Sequence, residues 1–142
     1  MTLTQDHLVT IRQVLYANWN ATAPSKATLG EKGFRVIYGK EPVTESPVVT
    51  VRDESESSRT ISGGSTPPVL HRAIIRVGAW TTSKEHLSNM VTEIKRINEV
   101  TFYNPGGGIH HWEVSGAVPR SDSRVSKEMV AKEVRFVIVY WQ

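Results

Sequence analysis

Residues 69–100 read VLHRAIIRVGAWTTSKEHLSNMVTEIKRINEV, and the architecture follows from them. From Val69 to Trp80, His71, Ala73, Ile75, Val77 and Ala79 fall on one side while Arg72, Ile74, Arg76, Gly78 and Trp80 fall on the other, which is the period of a β-strand. The second side mixes two arginines with apolar groups, so it suits a sheet face only partly covered by helix, or one buried by another subunit. Thr82-Ser83-Lys84-Glu85 then matches a capping box, with Thr82 capping a helix and Glu85 reaching back to its backbone. Leu87, Met90, Val91, Ile94 and Ile97 continue as an apolar stripe at helical spacing, which predicts a helix over residues 83–100.

Toward the N-terminus, Leu8, Ile11, Leu15 and Trp19 recur at spacings of three and four, predicting an amphipathic helix from Leu3 to Trp19 with Thr2 or Thr4 as its cap. Asn20, Thr22 and Pro24 end it, and a polar linker runs to Gly33. Two strands follow, at Phe34 to Tyr38 and Val48 to Arg52, expected to pair as antiparallel neighbours with Pro42 and Pro47 in their connection. Toward the C-terminus, Asn104-Pro105-Gly106-Gly107-Gly108 carries too much backbone freedom for a regular element. His111 to Gly116 reads as a short strand and Glu133 to Trp141 as a long one buried on both faces. The fold class is therefore α+β: a small, mainly antiparallel, sandwich-like sheet with an N-terminal helix and one central helix. The 142 residues suit a single domain, 1–142. Residues 53–68 and 117–128 have almost nothing to bury and read as long polar arms or loops.

Composition excludes several chemistries. With no cysteine there are no disulfides, thiolate nucleophiles or common structural zinc sites, which fits a reducing cytoplasm. The longest apolar run, Phe136 to Trp141, is far too short to cross a membrane as a helix, and Asp6, His7 and Arg12 interrupt any secretory leader. His110 and His111 are adjacent, and neighbours in a strand point to opposite faces, so no metal site is expected. The triple glycine follows a helix and precedes a strand, the wrong order for a phosphate loop. No Gly-x-Ser-x-Gly elbow and no paired catalytic carboxylates are present, so the chain is expected to be neither an enzyme nor a cofactor binder. A formal charge of +3 leaves a small basic nucleic-acid-binding domain as the alternative, although the arginines are interrupted by acids.

The N-terminal amphipathic helix, the single central helix, the polar arm before the strand at Val69 and the apolar strand Phe136 to Trp141 together resemble the tail terminator (tail completion) proteins of long-tailed bacteriophages and related viruses. The resemblance is one of organisation, and no short motif carries a residue role across. It implies a structural virion protein of the head–tail junction, assembled in the host cytoplasm. Such a protein forms a ring, usually a hexamer, that terminates the tail tube and docks the tail to the head connector. Its partners would be itself, the tail-tube protein and the head–tail connector protein, with genomic DNA passing through the lumen and not specifically bound. Under that reading Arg59, Ile61, Arg72, Arg76, Arg120, Arg124 and Trp141 are the candidate subunit-interface residues.

Overall fold

The computed structural model describes residues 5–38, 41, 43–54, 59–62, 70–120 and 129–141. In chain order these form α1 (Gln5–Asn18), α2 (Lys26–Leu29), a 3-10 turn (Glu31–Gly33), β1 (Phe34–Val36), β2 (Val48–Asp53), β3 (Arg59–Ser62), β4 (Leu70–Thr81), α3 (Lys84–Val100), β5 (Tyr103–Gly106), β6 (Ile109–Arg120) and β7 (Val130–Trp141). One seven-stranded sheet results, in the order β1-β2-β4-β7-β6-β5, with β3 also paired to β4. All pairings except β1–β2 are antiparallel.

The apolar period seen in the sequence is the period of burial. Ala73, Ile75, Val77 and Ala79 of β4 and Val134, Phe136, Ile138 and Tyr140 of β7 turn to one face and join Ile11 and Leu15 of α1 and Met90, Ile94 and Ile97 of α3 in a single core. Both long helices thus cover the same face of the sheet, the α+β arrangement expected. A smaller cluster of Val43, Val48, Trp80 and Ala131 lies apart from it. The last strand is buried on both sides as expected, since Val137 and Val139 are covered as well.

Several local expectations are corrected. β1 and β2 are parallel, with Phe34 opposite Val49 and Val36 opposite Val51. Residues 37–47 are long enough to return the chain to the same end, and they are held down by burial of Ile37 and Val43. The cap of α3 is Ser83, not Thr82: the Ser83 side chain accepts from the backbone N–H of His86, so the helix begins one residue later. The supposed linker contains α2, capped by Ser25, whose hydroxyl accepts from the Thr28 N–H at 3.1 Å. The glycine-rich stretch is not irregular. It forms β5 and a turn back into β6, with Gly107 and Gly108 at φ of 58° and 78°, values that disfavour other residues there.

The two stretches read as arms contain paired strand: β3 lies along β4, and residues 117–120 extend β6 against β7. Residues 55–58, 63–69 and 121–128 lie outside the described residues, as do the proposed caps Thr2 and Thr4. No helix among the described residues is long and apolar enough to cross a membrane.

A buried carboxylate ties α1 to α3. Glu93 accepts from the backbone N–H of Asn20 at 2.5 Å and from Arg96, whose Nη2 also reaches the Asn18 carbonyl at 2.7 Å. Burial alone would raise the Glu93 pKa. The Arg96 hydrogen bonds and charge, with the Asn20 and Ala21 backbone, outweigh it and hold the carboxyl below its ordinary value. A carboxyl depressed in the folded state contributes stability above its unfolded pKa and loses it as pH falls through the folded one. Glu93→Gln should therefore flatten the acid limb of a Tm-against-pH curve between about pH 5 and pH 3, where the wild type falls more steeply. Parallel curves over that range would sink this account.

Candidate assembly surfaces

On the sheet face away from the long helices, β-register sets Arg52 of β2 opposite Arg76 of β4, and Arg76 opposite Arg135 of β7. Three guanidiniums in one cross-strand row would repel each other. Two carboxylates offset them. Glu133, 1% exposed, takes Arg52 through two contacts of 2.9 Å, Nε to Oε2 and Nη2 to Oε1, and faces Arg76 Nη1 at 3.4 Å. Glu54 receives Arg76 Nε at 2.7 Å and Arg135 Nη2 at 2.9 Å. Burial disfavours the Arg76 charge, but Glu54 and Glu133 more than compensate, and its pKa lies above the ordinary value.

Gly78 sits beside Glu133 in the ladder and makes room for the cluster. A Cβ there would stand 2.7 Å from both Thr50 Oγ1 and Trp80 Nε1, which hydrogen-bond each other at 2.9 Å. Each of the three guanidiniums thus faces a carboxylate of its own chain.

A second surface lies where β5 and the start of β6 meet the end of β7. Tyr103, His110, His111 and Trp141 form one aromatic patch, with His110 6.1 Å from Trp141 and 6.4 Å from Tyr103 between ring centroids. Tyr103 is 74% and Trp141 43% exposed. Adjacent histidines were expected to point to opposite faces. A bulge between Ile109 and His111 instead leaves His110 as the extra residue of its ladder, and the two Nδ1 atoms meet at 2.7 Å. The ring centroids are 4.9 Å apart, so the two nitrogens lie nearly on the line joining the rings. The two rings are thus within hydrogen-bond distance of each other, with the donor set by the tautomer. Burial and then the neighbouring His110 lower the His111 pKa, with Glu113 opposing them. No group of three or more metal-ligating side chains occurs among the described residues.

The sequence-derived interface residues divide between these places. Arg76 is committed to the ionic row. Arg59 stands opposite Arg72 in the β3–β4 ladder, and Ile61 is in the same short strand. Trp141 pairs with Leu70, so Arg59, Arg72 and Trp141 share one end of the sheet. Arg120 lies at the opposite end, across from Ala131. Arg124 is outside the described residues. Sequence reasoning missed Arg52, Glu54, Glu133 and Arg135; an acid inside an otherwise apolar strand was the available signal for Glu133.

The fold has a counterpart among solved structures. A chain of the virion of a native gene transfer agent particle superposes with a TM-score of 0.60 at 8% identity, covering 99% of this chain and 100% of that one. At that identity the likeness is one of fold, over the whole length of both chains. No family model matches the sequence, and no curated protein is similar to it.

Proposed function

We propose that the chain is a non-enzymatic structural subunit of a virion, and within it the head–tail junction subunit: a ring, of about six copies, that ends the tail tube and docks it to the head connector. The observation that carries the reading is the full-length fold likeness to a chain of a gene transfer agent virion. The chain's partners are then itself, the tube protein and the connector protein. Genomic DNA passes through without specific binding. Arg52, Arg76 and Arg135 support that last point, because each faces a carboxylate of its own chain and is not left free to neutralise phosphates.

Light scattering and negative-stain imaging of the purified protein, alone and with tail tubes, test this. Rings in solution, or rings appearing at tube ends, are the expected result. A monomer that ignores tubes but shifts a DNA probe, and loses it steeply between low and moderate salt, would replace the reading with nucleic-acid binding.

A further inference from the structure

α3 and β7 enclose an open groove at the start of the helix. Lys84 and Lys95 of α3 and Lys132 of β7 surround it, with Leu87 and Val91 between them. Positions 84, 87, 91 and 95 are successive turns of one helical stripe, so the two α3 lysines flank a floor in which the Ser88 and Thr92 hydroxyls lie beside Leu87 and Val91. No carboxylate is among the described residues that line it. Three ammonium groups beside two hydroxyls call for an anionic occupant that also offers hydrogen-bonding groups, which favours an acidic peptide segment.

The same chain carries such a segment. Asp53-Glu54-Ser55-Glu56 packs three acids into four residues, the densest acidic run in the sequence. Glu54 is held by Arg76 and Arg135, whereas Asp53 is exposed at the end of β2. Partial desolvation and then repulsion from Glu54 raise the Asp53 pKa, although Arg52 and Arg76 border the same hollow, and a further cation brought to its exposed side would offset both. The groove of the same chain cannot be that source. Asp53 is opposite Ile75, Ile75 is opposite Phe136, and Lys132 lies four residues further along β7. Two strand spacings and four residues separate the backbones by on the order of 16 Å, beyond the reach of an ion pair.

We propose that the Lys84–Lys95–Lys132 groove receives the Asp53 end of β2 from a second copy of this chain. The contact joins two different patches, so it is head-to-tail, and it closes a ring when the rotation between copies suits. The inference rests on the ring reading above and names the contact that would build it.

The test is charge reversal in the full chain, read as ring mass against protein concentration. Lys95→Glu with Lys132→Glu should raise the half-assembly concentration by roughly tenfold or more, and Asp53→Lys alone should do the same. Combining all three should recover most of the loss. Thermal unfolding of each variant checks the fold, because these side chains lie at the surface. Rings that form unchanged in the lysine variants, or a combination that fails to rescue, overturn the docking while leaving the ring reading intact. A reversal that abolishes DNA binding and spares assembly assigns the groove to phosphate and also overturns it. A wild-type protein that forms no ring with or without tubes removes both.

Discussion

Replacing Glu133 with leucine is expected to destabilise the fold by about 3–5 kcal/mol. The side chain is almost wholly buried, and two guanidiniums are directed at it. Removing the carboxylate leaves Arg52 and Arg76 in register with Arg135 and only Glu54 to offset the three charges. For a chain of this size the loss should lower Tm by about 10 °C or more, measured by calorimetry at neutral pH. Glu113→Gln, an exposed position in β6, should move stability by no more than about 0.5 kcal/mol. Because a buried ion cluster is often no better than well-packed apolar groups, replacing Arg52, Arg76 and Glu133 together by apolar residues should recover much of the loss. A Glu133→Leu protein that melts within 2 °C or so of wild type would mean that the arginines swing out to water, as surface pairs can.

Trp112→Ala should cost a similar ~3–5 kcal/mol, for a different reason. Trp112 is fully buried against Phe136, with ring centroids 4.7 Å apart. It also stitches the end of α3 to β6. Its indole Nε1 donates to the Thr101 carbonyl at 3.0 Å, its backbone N–H donates to the Phe102 carbonyl at 3.1 Å, and its own carbonyl accepts from Asn98 Nδ2 at 2.8 Å. The backbone bonds survive truncation, so the loss is one of volume and of the indole donor. Trp112→Phe separates them: a smaller drop than alanine assigns most of the cost to the cavity, and an equal drop assigns it to the unpaired Thr101 carbonyl. Chemical denaturation with both variants distinguishes these outcomes.

The parts of the fold legible in the sequence are those where one period decides burial. The alternation from Leu70 to Thr81 and the stripe from Leu87 to Ile97 predict β4 and α3 because each presents one apolar side to the core. What escaped notice depends on partners distant in sequence. Nothing in Phe34–Val36 encodes the direction of its neighbour; that is set by where the chain re-enters the sheet after Ile37 and Val43 are buried. Proline and glycine in Tyr103–Gly106 signal a turn locally, yet pairing with β6 makes the segment a strand. The ionic row draws on Arg52, Arg76 and Arg135, residues from three strands that only register brings abreast. The contact between His110 and His111 arises from a bulge, and a bulge leaves no periodic trace. The ionic row and the aromatic patch are therefore less legible than the core, because they are made by juxtaposition and the core is made by pattern.

The order of the strands has a consequence for synthesis. Among the described strands β7 comes last in sequence yet lies at the middle of the sheet, between β4 and β6. As the polypeptide leaves the ribosome, β4 and β6 have no neighbour to share until residues 130–141 emerge and slot between them. Such a topology delays its decisive pairings and makes folding slow relative to locally connected folds. It also leaves β4 and β6 as two open ladders facing each other across an empty lane until β7 fills it.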